Sequence, residues 1–195
     1  MFGNLLNNNE IIECESKNFL KIKPWEPNKL QPAHYPLNAC VIHQVVDPGK
    51  SGAITKPIHT FQEGDENNED KAYPFEANDY FVVEIFQSIT LSPGIVGKFV
   101  VASNLIEKGF SLTGGKITYP FGEKREVVRF GIKNLLSVKN YLMPFHKIAY
   151  IEFFDMRGLN NLPYNFSDLT PRDIEIYLAR KKKAEIGGVD YGDGT

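Results

Sequence analysis

The densest group of chemistry-bearing side chains in this 195-residue sequence is acidic: Glu63, Asp65, Glu66, Glu69 and Asp70 fall between Gln62 and Ala72. Carboxylates at that density can hold a divalent cation through oxygen. The run lacks the D-x-[DN]-x-[DN]-G-x5-E order that wraps calcium, so it reads as a solvated loop. A second group is Asp47-Pro48-Gly49-Lys50-Ser51-Gly52. It offers glycine, lysine and serine, but a phosphate loop needs an earlier glycine where Val45 and Val46 stand, so a hairpin turn is the better reading. His34, His43, His59 and His146 are scattered along the chain, with no HExxH. Cys14 and Cys40 are the two cysteines, without a CxxC or zinc-ligand spacing, and read as free thiols of a reducing compartment.

The elements that must position these groups are mostly short strands. From Phe81 to Phe154, apolar runs rich in Val, Ile and Phe are cut by Ser92-Pro93-Gly94, Gly114-Gly115, Pro120-Phe121-Gly122 and Met143-Pro144. That rhythm predicts an all-β domain. Ser103 to Phe110 breaks the alternation and predicts one helical turn ending at Gly109. Leu30 to Val46 predicts a strand beginning after Pro36. Its alternation puts Cys40, Ile42 and Gln44 on one face and Val41, His43 and Val45 on the other. His43 on an apolar face is expected to be structural. Residues before Lys23 predict an arm or edge strand, partly disordered before about residue 10. Pro24 and Pro27 break any helix around Trp25, which is expected to anchor packing.

After Arg157 the texture changes. Thr170-Pro171-Arg172-Asp173 predicts a helix start, with Thr170 as cap and Pro171 at the first position. Ile174, Tyr177 and Leu178 form its apolar stripe. Arg180-Lys181-Lys182-Lys183 sits in the last turn, where cations suit the helix dipole; contact with a phosphate or an acidic partner is the functional alternative. The glycine-rich tail Gly187–Thr195 is expected to be flexible.

The formal charge of −2 gives no bulk electrostatic reason to bind nucleic acid or anionic lipid. No apolar run approaches the ~20 residues of a membrane span, and no signal peptide is expected. A cytoplasmic or virion location follows as the expectation.

Two stretches resemble the dUTPase/dCTP deaminase superfamily. Leu30-Gln31-Pro32-Ala33-His34-Tyr35-Pro36-Leu37-Asn38-Ala39 is similar to the deaminase signature I-Q-P-A-S-x-D-L-R-L. From Phe81 to Phe154 the match is longer. SITLSPGIVGKFVVASNLIEKGF is similar to V-T-L-P-x-x-L-x-G-x-x-x-G-R-S-S-L-x-R-x-G. KITYPFG and VVRFGIKN are similar to x-I-D-P-G-x-x-G and x-I-x-L-E-x-x-N, and MPFHKIAYIEFF to x-P-G-x-x-I-A-Q-L-x-F. The resemblance covers roughly residues 30–157. It implies a dUTPase-like β-clip or distorted jelly-roll barrel, here with a short C-terminal helix. It also implies a homotrimer, because family members bind nucleotide between subunits.

The departures bear on function. Pro36 stands at the family's first-motif Asp and Asn38 at its Arg. Val101-Ala102-Ser103-Asn104 replaces G-R-S-S, removing a bidentate phosphate clamp. Glu107 replaces the deaminase's next Arg, Thr118 the water-activating Asp, Gly131 the proton-transferring Glu and Tyr150 the Gln of I-A-Q. Losing base, proton-transfer group and phosphate arginines together leaves little to stabilise a transition state.

The chain is therefore expected to comprise an N-terminal arm (1–29), a dUTPase-like β domain (30–157) and a C-terminal loop, helix and tail (158–195). The expected role is that of a non-catalytic trimeric assembly protein, a decoration or auxiliary protein of a phage head, docking through its N-terminal arm or C-terminal segment. No catalytic, cofactor-binding or metal residue is assigned, and no cofactor is expected. The alternatives are a deoxynucleotide-processing enzyme, a dCTP deaminase or dUTP diphosphatase whose rearranged site uses Ser103, Glu107, Glu126 or Asp47, and a nucleotide-sensing regulator.

Overall fold

The structure is a computed structural model and describes residues 4–47, 54–66, 68–123 and 127–156. In chain order its first elements are β1 (Asn4–Leu5), α1 (Asn8–Ser16), β2 (Leu20–Lys23), β3 (His34–Asp47), β4 (Ile54–Thr60), β5 (Tyr73–Phe75), β6 (Tyr80–Ile85) and β7 (Ser88–Leu91). There follow β8 (Ile95–Val101), α2 (Ser103–Glu107), β9 (Phe110–Thr113), β10 (Lys116–Thr118), β11 (Arg129–Asn134), β12 (Asn140–Leu142) and β13 (Lys147–Asp155). The expected C-terminal helix lies outside the described residues.

Strand β3 is the spine. Its first half pairs antiparallel with β13, from His34↔Glu152 to Asn38↔Lys147. Its second half pairs with β6 on one side and β4 on the other. The main sheet runs β10-β8-β13-β3-β6-β11-β9, with β1 added to β13 and β4 to β3. Two separate two-stranded ladders, β12-β5 and β2-β7, complete the described strands. The whole is a curled antiparallel sheet of the β-clip or jelly-roll kind that the sequence predicts.

Curling follows from irregularities in β3. Tyr35, Leu37 and Ala39 point into the core with no exposed surface, in the expected period of two. The register then slips between Ala39 and Val41, and again between Ile42 and His43. The inward phase passes to Ile42, and His43 beside it is buried as well. The simple two-face division of Cys40 to Val45 is thus corrected: β-bulges rephase the strand and bend it. Core side chains from the facing strands meet edge to face, as Phe99 and Phe130 do at 4.9 Å and Phe75 and Phe110 at 5.1 Å. Each such ring removed from water is worth roughly 1.5–3 kcal/mol.

Two further expectations are corrected. Strand β3 begins at His34 and runs through Pro36, which faces Tyr150 of β13. Pro36 is tolerated because, among the described residues, no strand pairs on its other side there, so no ladder donor is missed. Residues 8–16 form a helix where an arm, edge strand or disorder was expected. Asn7 caps it, accepting from Asn9 N at 3.0 Å and Glu10 N at 3.1 Å, while Glu10 reaches back to Asn7 N at 2.8 Å. This reciprocal box, with Ile11 and Cys14 buried on the inner face, outweighs the poor helix propensity of the Asn run.

Other expectations stand. The turn Ser103–Glu107 ends at Gly109, whose φ of +77° and bond to Ile106 O at 2.8 Å close the helix. At Gly122, φ is +86° and an added Cβ would press on the Ile89 carbonyl, so only glycine fits that turn. Strands β3 and β4 pair antiparallel up to Asp47↔Ile54, as a hairpin requires; residues 48–53 between them lie outside the described residues. Trp25 stacks on Tyr35 at 5.2 Å. Neither Cys14 nor Cys40 is in a disulfide.

Candidate functional site

A cleft of about 1070 Å³ opens where β3, the start of β13 and the link between β6 and β7 come together. Its wall includes Pro36 and Asn38 from β3, Phe86 and Gln87 from the link, Asn104 from α2, the turn from Met143 to His146, and Lys147 and Tyr150 from β13. Four positions where the resemblance implies nucleotide-handling groups therefore share one cleft: Pro36, Asn38, Asn104 and Tyr150. They converge because the β3–β13 ladder sets Pro36 opposite Tyr150, and the β8–β13 ladder leads α2 in alongside.

The wall is held by side-chain amides. Asn38 N donates to Gln87 Oε1 at 2.9 Å, and Gln87 Nε2 donates to Asn38 Oδ1 at 2.8 Å. Asn38 Nδ2 donates to the Phe145 carbonyl at 2.7 Å. Gln87 is only 3% exposed. It substitutes for a neighbouring strand along the unpaired side of β3. Phe145, in turn, adopts a left-handed φ of +51°, rare for a non-glycine residue, between the rings of Phe86 at 5.1 Å and Phe61 at 6.5 Å.

His146 follows that strained residue. Burial, then the charges of Lys108 and Lys147, push its imidazole down to about 4, so the ring is neutral at pH 7. Its Nε2 is closed off from solvent and has no hydrogen-bond partner, and the same holds for Asn104 Oδ1. A base must reach the proton it takes, and this nitrogen faces no open space. The charged lining is mixed. Lys29 is paired with Glu26 at 2.7 Å, Lys147 lies 5.0 Å from the Tyr150 ring centre, and Glu63, Glu66 and Glu69 bring in the acidic loop. No arginine lines the cleft among the described residues.

The remaining family positions fall elsewhere. Ala102 is fully buried, its N–H donating to the Ile148 carbonyl at 3.1 Å, and it offers no cation at the clamp position. Ser103 and Glu107 lie on the outer side of α2, Thr118 ends β10, and all three are exposed. Gly131 lies mid-strand between Val82 and Thr113. A Cβ added there would run into the Tyr80 hydroxyl and stand 2.5 Å from Thr113 Oγ1. Asp47 ends β3, and neither it nor Glu107 lines the cleft. Glu126 lies outside the described residues. The rearranged constellation of Ser103, Glu107 and Asp47 is thus not brought together there. Among the described residues no group of three or more His, Cys, Asp or Glu is placed to hold a metal ion.

Sequence reasoning missed Gln87 and His146 as members of this wall. Gln87 carries a signal, a lone amide between two apolar strands; His146 has none beyond its place after Met143-Pro144. His43 is buried, but the expectation of a satisfied histidine is not met: neither ring nitrogen makes a hydrogen bond, its Nε2 lying 3.2 Å from Glu84 Oε2 off the line of one, while Arg129 Nε bonds that same oxygen at 2.9 Å. Asn134, the asparagine of the V-V-R-F-G-I-K-N stretch, is fully buried. It donates to the carbonyls of Phe75, Glu76 and Val138 at 3.2, 3.0 and 2.9 Å, and accepts from Leu136 N at 3.0 Å. All its capacity is spent on fold.

No protein-family model and no curated protein matches the chain. Solved structures do. A 2'-deoxycytidine 5'-triphosphate deaminase from Agrobacterium tumefaciens superposes with a TM-score of 0.58 at 12% identity, over 80% of this chain and 49% of the deaminase. The chain thus spans about half the length of that deaminase chain. A dUTPase from phage phi11 of S. aureus gives 0.43 at 12% identity, over 70% of this chain and 89% of its own. The dUTPase of Staphylococcus bacteriophage 80alpha gives 0.44 at 13%, over 71% and 90%. Among the described residues no helix is long and apolar enough to cross a membrane. With its β3 spine and curled sheet, this chain has the fold of the dUTPase/dCTP deaminase superfamily.

Proposed function

We propose that the chain is a non-catalytic dUTPase-fold protein that works through assembly, as a homotrimer. One observation carries this reading. The cleft that gathers the family's positions presents Pro36, Asn38, Asn104 and Tyr150 instead of Asp, Arg, Ser and Gln, and its one histidine is neutral with a ring nitrogen sealed from solvent. Such a wall carries no arginine clamp for a triphosphate among the described residues, its histidine cannot reach a substrate proton, and its carboxylates come from the acidic loop and the Trp25 connector, not from the family's positions. The trimer rests on the superfamily fold. A three-fold module suits three-fold positions of a closed shell, and the specific role we propose is decoration of a phage head.

The second reading, an enzyme or sensor of deoxynucleotides, draws on the size of the same cleft. A thermal-shift titration with dUTP and dCTP, with and without magnesium, separates the two. A ligand bound only by the folded state adds RT ln(1 + [L]/Kd), about 2.7 kcal/mol at a hundredfold excess. No shift at millimolar nucleotide is expected. A magnesium-dependent shift with turnover would overturn the non-catalytic reading. Sedimentation equilibrium is expected to return three times the chain mass, and a monomer would remove the assembly reading. Virus particles from the source are expected to carry the chain in stoichiometric amount, and particles lacking it would end the decoration role.

A further inference from the structure

We propose that the turn from Met143 to His146 is an acid-operated wall of the cleft: a proton taken up by His146 drives its ring out of the slot beside α2 and releases the turn. The slot is built against an imidazolium. The ring's Nε2 is buried and makes no hydrogen bond, not even to Asn104 Oδ1, the other buried unpaired atom of this cleft. Its charged neighbours are both cations, Lys108 after α2 and Lys147 on β13, while the cleft's carboxylates, Glu26, Glu63, Glu66 and Glu69, exert no comparable pull on it. The groups of β3 and the β6–β7 link that meet the turn, Asn38 and Gln87, are uncharged and already bonded to each other. The turn itself is strained at Phe145, with φ at +51°, so it gains on release.

Three hydrogen bonds and the packing of Phe145 between the Phe86 and Phe61 rings hold the turn shut. Ala39 N donates to the His146 carbonyl at 2.9 Å, His146 N to the Met143 carbonyl at 3.2 Å, and Asn38 Nδ2 to the Phe145 carbonyl at 2.7 Å. Below this turn, β13 is locked between β3 and β8. Opening therefore frees residues 143–146 and leaves the sheet intact. The proton comes from solvent and returns to it, so no other reactant is needed. The inference concerns the cleft wall alone and holds whether or not a nucleotide enters.

The size of the effect follows from linkage. A ring that titrates at about 4 when shut and at the ordinary 6.5 when released favours the open form by about thirtyfold more at pH 5 than at pH 7.5. Hydrogen exchange on the full chain, corrected for the intrinsic pH dependence, is expected to show that loss of protection at Ala39 and His146, with Ile42 and Ile151 still protected. In His146→Phe the pH dependence at Ala39 should vanish. The wild-type His146 ring, followed by NMR, reports independently of any variant. If it titrates near 6.5 while Ala39 stays protected, or if Ala39 keeps its protection down to pH 4, the proposal is overturned. Simultaneous loss of Ile42 and Ile151 protection would mean global unfolding and would overturn it too. None of these outcomes alters the nucleotide titration, so the two readings fail separately.

Discussion

Gln87 and Asn38, forty-nine positions apart, exchange two hydrogen bonds, with Asn38 N to Gln87 Oε1 at 2.9 Å and Gln87 Nε2 to Asn38 Oδ1 at 2.8 Å. The pair fastens the β6–β7 link to β3 where no strand lies alongside. Gln87→Met keeps the length and removes both partners. It leaves a backbone N–H and an amide oxygen unsatisfied in a part-buried wall, which costs about 2–3 kcal/mol. Urea denaturation is expected to show that loss at unchanged slope. A change within 0.5 kcal/mol would mean that water replaces the amide.

Asn134 is the same device in the core. It is fully buried with four hydrogen bonds tying β11 to the Phe75–Glu76 backbone and to the turn before β12. Asn134→Leu is nearly the same size but orphans three carbonyls and one N–H, a loss of about 3–5 kcal/mol. Thermal denaturation should drop by well over ten degrees or the variant should fail to fold. Full stability would sink the structural assignment of this residue.

The fold was legible because its signals are local. The apolar runs and the turns at Ser92-Pro93-Gly94 and Pro120-Phe121-Gly122 fall where strands begin and end, and the short helix stops at Gly109 as its sequence implies. Helix α1 was legible in principle, since Asn7 and Glu10 have capping-box spacing, but the asparagine run reads as disorder. Strand β3 could not be phased from alternation, because its bulges depend on partners far along the chain. The cleft was legible only as family positions. Its wall joins residues 36–38, 86–87, 104 and 143–150. Nothing local tells that a glutamine at 87 meets an asparagine at 38.

Gly131 stands where the resemblance implies the family's proton-transferring Glu, and the space for a side chain there is occupied. A Cβ would collide with the Tyr80 hydroxyl and crowd Thr113 Oγ1, which accepts from Gly131 N at 3.1 Å and donates to its carbonyl at 3.2 Å. Tyr80 is half-exposed and can swing aside; Thr113 cannot move without breaking its bonds to the glycine. Gly131→Ala is therefore expected to cost about 1–3 kcal/mol, and much less in a Thr113→Ala background. Equal costs in both backgrounds would place the strain on Tyr80 instead. Restoring glutamate at 131 alone is expected to lower stability without creating turnover.

Stability should also depend on pH with a defined sign. His34, His59 and His146 all lie below the ordinary histidine value, burial being the largest cause each time. The unfolded chain thus takes up protons first as pH falls through 6.5, and stability falls with it until the folded groups also protonate, near pH 4 for His146. That window corresponds to about 3 kcal/mol for His146 at 1.36 kcal/mol per unit, and about 2 once screening of its partly exposed ring is counted. Local release of the Met143–His146 turn caps the global loss, because the open form already has an ordinary histidine. Urea midpoints measured from pH 8 to pH 4 are expected to decline below 6.5, and His146→Phe should flatten most of the decline. A wild-type midpoint that stays level to pH 4.5 would contradict the burial of all three rings. A His146→Phe profile parallel to the wild type would shift the effect to His34 and His59.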